Sequence, residues 1–315
     1  MDSRHKSAAR LISQGLVGGR GDSSSTASLS SAAQVVEHLG CVQAQALGGA
    51  LVSIALRLKP QGTGTDNSKP GTDLNAGRAA IDSGEIVRTW TQRGTIHLTA
   101  ANDVGWILGL TGQRTLKAAA KRREVFGIDD RMVDAAAVLA EEAIREHGPL
   151  TRQELLDAFE PLQAGKEYGH ERYLITALAL RNIITQGPLV EGKDEMRFAL
   201  TADWIPTPVD LDAEAALAEW MRRYVLSHGP VTVDDATRWT AMPKTQVRNA
   251  IAEVVSGSEI VETSIDGRTY FHAADLEDRL RDSRKQAEAL LLLPGFDEII
   301  LGYKDRSATL DPAHE

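Results

Sequence analysis

His147-Gly148-Pro149-Leu150-Thr151 recurs further along the chain as His228-Gly229-Pro230-Val231-Thr232, and each copy follows a stretch with amphipathic helical spacing. In both, the threonine stands where it can cap a following helix, Arg152-Gln153-Glu154-Leu155-Leu156 in the first copy and Val233-Asp234-Asp235-Ala236-Thr237 in the second. Acidic residues early in each helix are favoured by the helix dipole. A further helix and two strand-like runs close each copy. The first pair of runs is Leu189-Val190-Glu191 and Met196 to Leu200, turning at Gly192-Lys193-Asp194-Glu195. The second is Ile260 to Ile265 and Thr269 to His272, turning at Asp266-Gly267, a strong two-residue hairpin signal.

Helix, helix, helix, hairpin is the plan of a winged helix, and the residues before the first copy read as a more diverged third one. Ala8 to Leu16 forms a first helix, and Ser30 to Leu39 a second that puts Val35, Val36 and Leu39 on one face and stops at Gly40. Leu51 to Leu58 is apolar enough for a buried helix, with Gly48 and Gly49 marking its start. Ala76 to Ser83 forms another, closed by Gly84. Glu85 to Trp90 and Arg93 to Thr99 alternate like wing strands, after which Thr99 caps a helix with Trp106 on its apolar face. Gly18 to Ser25 is a loop, and Pro60 to Asn75 a surface insertion rich in Gly, Thr, Asp and Pro.

The expected fold is therefore mainly α with small β-hairpins (α+β). Winged-helix units span 1–125, 126–208 and 209–275, with a C-terminal helix and strand segment over 276–315. Trp204-Ile205-Pro206-Thr207-Pro208 serves as a linker. Asp278 to Ala289 is a charged helix, Pro294-Gly295 breaks the chain after the apolar Leu290 to Leu293, and Glu298 to Tyr303 reads as a strand.

At 315 residues, 42% hydrophobic and 25% charged, the chain has an ordinary globular composition. Its one cysteine, Cys41, excludes an internal disulfide framework and a thiolate metal cluster, which makes a reducing, cytoplasmic setting the default. The eight histidines lack metal-protease spacing. Gly62-Thr63-Gly64-Thr65 lacks the Lys-Ser/Thr of a phosphate loop, and there is no serine elbow, so no metal and no cofactor is expected. No run approaches the roughly 20 apolar residues of a membrane span, and the Leu11-Ile12 pair is too short for a secretory core. A net charge of −9 argues against coating nucleic acid by bulk charge but leaves room for a local basic track.

Such a track exists. Gln113 to Arg123 holds Arg114, Lys117, Lys121, Arg122 and Arg123 with no acid before Glu124, and Arg114, Lys117 and Lys121 fall on one helical stripe. It reads either as a solvated face or as a set of phosphate contacts. Gln43-Ala44-Gln45 lies between two helices. In an extended link the two amides share a face and can reach one point, whereas in a helix they would diverge. By composition alone they are as easily solvated surface.

Gln43-Ala44-Gln45, Trp90-Thr91-Gln92-Arg93-Gly94-Thr95-Ile96-His97-Leu98, and Leu292-Leu293-Pro294-Gly295-Phe296-Asp297 running on to Gly302-Tyr303-Lys304-Asp305-Arg306 together resemble, in this order, the AlkZ-type bacterial DNA glycosylases. The likeness runs from about Leu11 to the C-terminus. It implies tandem winged helices that form a curved DNA-binding channel, and an active-site Gln-hydrophobic-Gln signature matched by Gln43 and Gln45. It also implies excision of N7-alkylpurines and, in some members, unhooking of interstrand crosslinks made by DNA-alkylating natural products. The partner is then double-stranded DNA containing alkylated bases, met by a monomer and not by a membrane. Members usually continue past the Asp-Arg motif into further strands, so with the sequence stopping at Glu315 a terminal β element is expected to be short, truncated or absent.

The chemistry available to two glutamines is narrow. A primary amide does not titrate near neutrality and is no strong base, but it can hold a water and aim its carbonyl dipole at developing positive charge. An N7-alkylguanine is already cationic and leaves without a strong acid, so this repertoire suffices. With no obvious Schiff-base lysine beside the pair, a monofunctional mechanism is expected.

Other candidates carry two readings each. His97 is a site residue or a packed imidazole, and Arg93 a phosphate contact or a structural ion pair. Arg268, by the tip of the last hairpin, enters a groove or is merely solvated. Asp297, Asp305 and Arg306 brace the last unit or touch DNA. Trp90, Trp106, Trp204 and Trp239 are read as core. The alternative function is a non-enzymatic winged-helix DNA-binding protein or transcriptional regulator, and a third is an inactive relative acting as a scaffold.

Overall fold

Thr151 and Thr232 both close reciprocal capping boxes. Thr151 Oγ1 accepts from the Glu154 N–H at 3.3 Å while Glu154 Oε2 accepts from the Thr151 N–H at 2.7 Å. Thr232 and Asp235 repeat the exchange at 3.1 and 2.9 Å. The residue before each threonine does a second job that periodicity does not reveal. Leu150 exchanges both backbone hydrogen bonds with Phe198 (2.9 and 2.6 Å), and Val231 does the same with Phe271 (3.0 and 2.8 Å). The recurring pentapeptide is thus a one-residue strand that stitches a helix start to the second strand of the hairpin that follows.

The structure, a computed structural model, describes residues 3–17, 29–58, 73–162 and 170–314. The loop read at 18–25 and the bulk of the insertion read at 60–75 lie outside them. In chain order come α1 (Ser3–Ser13), α2 (Ala32–Leu39), β1 (Val42–Gln43), α3 (Leu47–Ala55), α4 (Leu74–Asp82), β2 (Ile86–Trp90), β3 (Ile96–Ala100), α5 (Val104–Ala118) and α6 (Ala120–Val125). Then follow α7 (Asp130–His147), α8 (Arg152–Ala158), α9 (His170–Leu180), β4 (Ile184–Leu189), β5 (Met196–Leu200) and α10 (Thr201–Trp204). The last stretch holds α11 (Ala213–His228), α12 (Val233–Thr240), α13 (Lys244–Val255), β6 (Ile260–Ile265), β7 (Arg268–Ala273), α14 (Leu276–Ser283) and α15 (Glu298–Leu301). Helical segments predominate, with small antiparallel β-pairs between them, as the sequence leads one to expect.

Backbone packing divides the chain into two compact units, Arg78–Ala213 and Met1–Gly77 with Glu214–Glu315. In the Arg78–Ala213 unit, β3, β2, β4 and β5 lie side by side, all antiparallel. The core packs Trp90, Val104, Leu108, Ile144, Leu155, Leu178 and Phe198 between this sheet and α5, α7, α8 and α9. In the other unit Trp220, Tyr224, His228 and Trp239 stack with ring centroids 4.7–5.5 Å apart, and β6 and β7 turn at Asp266 (φ +50°) and Gly267 (φ +75°).

Several expected elements differ. Glu298 to Tyr303 is not a strand: Glu298–Leu301 is a short helix capped by the Asp297 side chain, which accepts from the Ile299 N–H at 3.0 Å. The β4 strand begins at Ile184, upstream of Leu189. Gly187-Pro188 sits in a register shift between Gln186 and Leu189, and Gly187 is covered by the Trp204 indole, 2.9 Å from where a Cβ would stand. Thr99 caps nothing, being buried in β3. Gly48 and Gly49 lie inside α3, and the run at Gln113–Arg123 is split by a break at Ala119 (φ −87°, ψ 0°). The charged helix read to Ala289 stops at Ser283, with a 3-10 turn at Gln286–Glu288.

The α5–α9 crossing depends on Gly112, where a Cβ would collide with the Leu180 carbonyl oxygen. Backbone cannot yield as a side-chain tip can, so Gly112→Ala is expected to destabilise by about 1–3 kcal/mol or more. Gly109→Ala, in the same helix and open to solvent, is expected to be neutral or stabilising by up to ~1 kcal/mol. Urea unfolding midpoints check both.

Candidate active site

The Gln triplet is set by what lies on either side of it. Helix α2 ends at Gly40, whose backbone (φ +78°, ψ −43°) an L-residue adopts only under strain. A side chain there would also meet the Trp239 ring at 3.3 Å. The turn sets Cys41, Val42 and Ala44 into the core, each 0–1% exposed. Gln43, in the short extended segment β1, is 8% exposed, whereas Gln45 is exposed. The two amides meet: Gln43 Nε2 donates to Gln45 Oε1 at 3.1 Å. That bond brings two neutral amides, each with donor and acceptor atoms, to one place.

Helix α3 begins two residues after Gln45. Ala46 at its N-cap makes no side-chain capping bond. The far end of α3 carries the buried interaction that locks it. Arg57 Nη1 and Nη2 donate to Asp297 Oδ2 and Oδ1 at 2.9 and 2.8 Å, both side chains 0–1% exposed. Ser53 Oγ donates to Asp297 at 2.6 Å, and Arg57 donates further to the Gln14 side chain at 2.8 Å and the Gln14 carbonyl at 2.9 Å. Burial alone would raise the Asp297 pKa. The Arg57 charge and hydrogen bonds, helped by the Ile299 N–H and Ser53, outweigh it and hold the group at about 2, against an ordinary 3.8.

The same unit binds its other C-terminal motif residues internally. Gln14 donates to the Tyr303 hydroxyl at 3.1 Å, which donates to the His228 carbonyl at 2.9 Å. Arg10 lies over the Tyr303 ring at 3.6 Å and donates to the Asp305 carbonyl at 3.1 Å. Arg268 is exposed, with Nη1 3.4 Å from Asp305 Oδ2, and Arg306 is half-buried. Of the tryptophans read as core, Trp90, Trp106 and Trp239 are buried and Trp204 is half-buried.

In the Arg78–Ala213 unit, Arg93 sits in the turn between β2 and β3 with φ +57° and is half-buried. His97 is fully buried, its Nδ1 2.9 Å from Thr91 Oγ1 and 3.0 Å from the Thr95 carbonyl oxygen. The imidazole therefore ties together the two ends of the turn that displays Arg93. Arg114, Lys117, Lys121 and Arg122 are exposed. Arg114 and Lys117 share α5, but Lys121 stands past the Ala119 break on α6, so the stripe is carried by two helices. Arg123 is ion-paired with Asp130 at 2.7 Å, an acid more distant in sequence than the run suggests.

Among the described residues no group of His, Cys, Asp and Glu could hold a metal ion, and no helix is long and apolar enough to cross a membrane. A family model, described as DNA glycosylase AlkZ-like, matches residues 36–315, a span that includes the amide pair and the Arg57–Asp297 brace. The chain belongs to the AlkZ-like DNA glycosylase family. It is 26% identical over 290 residues to the interstrand DNA cross-link repair glycosylase of Streptomyces sahachiroi, covering 86% of this chain and 71% of that protein. The solved structure of the Streptomyces sahachiroi DNA glycosylase AlkZ shares the fold with a TM-score of 0.73 at 24% identity, over 100% of this chain and 81% of that one. As an AlkZ-like glycosylase the chain is an enzyme that acts on DNA.

Of the two residues in this buried pair, sequence reasoning singled out Asp297, as bracing the last unit or touching DNA, and passed over Arg57. Arg57 closes an apolar helix and looks like a solvated end; a lone arginine on a helix that must be buried was the available signal, since a buried guanidinium needs a carboxylate. Asp297 supplies it from far along the chain. Because its pKa falls from 3.8 unfolded to about 2 folded, the pair's contribution is whole above pH ~4 and lost as pH falls from ~4 to ~2, on the order of 2 kcal/mol. Asp297→Asn is expected to destabilise at pH 7 by roughly 3–5 kcal/mol, since it leaves Arg57 buried without its counter-charge. It is also expected to remove this slope from the pH dependence of denaturant unfolding.

Proposed function

We propose that this glycosylase releases cationic N7-alkylated purines from duplex DNA by a monofunctional, hydrolytic mechanism, with Gln43 and Gln45 holding the water. The observation that carries the reading is the 3.1 Å bond between the two amides, one buried and one exposed. It presets a pair of neutral dipoles in a single place.

Neutral dipoles are enough for this substrate and too little for others. Breaking C1′–N9 returns the bonding electrons to a purine that already carries a positive charge, so the base departs neutral and needs no proton. Positive charge then develops on the sugar, where amide oxygens stabilise it. The held water adds its oxygen to C1′ and its proton passes to solvent, leaving an abasic site. An unmodified purine would depart as an anion, and a glutamine pair offers it no acid. The same step applied to an N7-linked interstrand crosslink would cut one of its two tethers.

The DNA is approached through Arg93, Arg114, Lys117, Lys121 and Arg268, with His97 holding the Arg93 turn in shape instead of meeting a phosphate. Tandem winged-helix units are the scaffold proposed to carry these cations, a reading that the helix-helix-helix-hairpin order of α7–β5 and α11–β7 supports.

Release of 7-methylguanine from a duplex with one defined lesion, read by alkaline strand cleavage, tests the chemistry. Wild type is expected to act, and Gln43→Ala/Gln45→Ala to lose about 10²–10³-fold in rate while still binding the duplex. Borohydride is expected to trap no covalent enzyme–DNA adduct. Activity that survives in the double variant would overturn the assignment. Separately, Lys117→Glu/Lys121→Glu is expected to weaken binding to damaged and undamaged duplex alike, and to reduce the slope of log affinity against log salt by about two.

A further inference from the structure

Leu290, Leu292 and Phe296 are 89%, 82% and 49% exposed, three large apolar side chains within seven residues. Single exposed apolar residues are ordinary, but a cluster of them marks a surface that something covers. This cluster lies on the segment that runs alongside α3. A Cβ on Gly49, in the first turn of α3, would stand 3.5 Å from the Gly295 carbonyl oxygen and 3.7 Å from Pro294 Cβ. Two residues beyond Gly295, Asp297 is clamped to Ser53 and Arg57 near the other end of the same helix. Phe296 therefore lies between a close approach of the chain to Gly49, four residues after Gln45, and the clamp on Asp297.

The backbone at Phe296 is unusual as well. Its φ is +67°, a conformation that glycine, asparagine and aspartate adopt readily and a bulky aromatic residue adopts at a cost. The clamp on Asp297 keeps it there. Neither packing nor backbone preference calls for phenylalanine at this position: the ring is half exposed, and glycine would relax the turn. A strained, exposed aromatic ring on a braced segment next to the site is the arrangement expected of a group that acts on the ligand.

We infer that Phe296 is the apolar wedge that enters the base stack at the lesion and holds the damaged nucleotide partly unstacked over the amide pair, with Leu292 widening the apolar contact. This rests on the reading of Gln43 and Gln45 as the site. Proteins that open duplex DNA insert side chains of this kind between base steps, recovering in new contacts what unstacking costs. A wedge also suits a crosslinked substrate, in which a base tethered to both strands can tilt but cannot swing out.

The test uses Phe296→Gly, with Phe296→Asn as a second variant whose side chain also tolerates positive φ, and Phe296→Tyr as the conservative one. A duplex carrying 2-aminopurine next to a 7-methylguanine reports unstacking as a rise in fluorescence on binding, independently of chemistry. It is read with each Phe296 variant built into Gln43→Ala/Gln45→Ala so that no base is lost. Phe296→Gly and Phe296→Asn are expected to unfold at or above the wild-type denaturant midpoint and to bind within a few-fold of wild type. They are also expected to lose the fluorescence rise and, in the active background, to fall at least about tenfold in excision from duplex. Phe296→Tyr is expected to retain both signals. If the folded Gly and Asn variants keep the wild-type fluorescence rise and excision rate, the wedge is overturned, whatever the glutamine variants do. If instead the double glutamine variant stays active while fluorescence still depends on Phe296, the wedge stands and the amide assignment falls.

Discussion

The bidentate contact between Arg57 and Asp297 is the constraint on which the candidate site depends. It joins a helix near the start of the chain to a segment close to its end, and both partners are out of water. Well-packed apolar residues in place of a buried ion pair would stabilise as well, because removing two charges from water costs about what their attraction returns. What the pair does supply is uniqueness. The guanidinium fork fits one carboxylate orientation, and Ser53, the Ile299 N–H and Gln14 occupy the remaining polar valences. Helix α3 can then neither rotate nor slide, so the Gln triplet at its start and the 294–299 segment along its side keep a fixed relation to one another.

The triplet is held from the other direction by aromatic packing. Gly40 turns the chain above Trp220 and Trp239, and the Trp239 indole N–H is bonded to the buried Glu298 carboxylate at 3.0 Å. Glu298 follows Asp297, so both braces converge on the same two residues. The active site proposed for Gln43 and Gln45, built from amides, requires such rigidity. Amides carry no charge to pull a substrate into place, and a dipole stabilises a transition state only when its direction is set in advance.

Charge is distributed in keeping with this division of labour. Many arginines are engaged within the fold: Arg123 and Arg181 with Asp130, Arg197 with Glu154, and Arg222 and Arg223 with Glu219. In a chain of net charge −9, long-range attraction to DNA has to come from local clusters of cations, the role proposed for the one on α5 and α6.

From the sequence alone one can read the helix-helix-helix-hairpin order, the Thr151 and Thr232 caps, the Asp266-Gly267 turn and the Gln triplet in an extended link. Each is a local matter, decided by side-chain period, by a hydroxyl within reach of its own backbone, or by tolerance of positive φ. Family membership was legible for a related reason, since three short motifs in a set order survive where overall identity is low. Tertiary structure alone decided the rest. Residues 298–301 carry a strand-like pattern but form a helix, because the Asp297 carboxylate that caps it is oriented by an arginine far away in sequence. The register shift at Gly187-Pro188 lies beneath the indole of Trp204, a residue of a different element. His97 turned inward and Phe296 outward because their positions depend on contacts distant in sequence, which spacing along the chain does not encode.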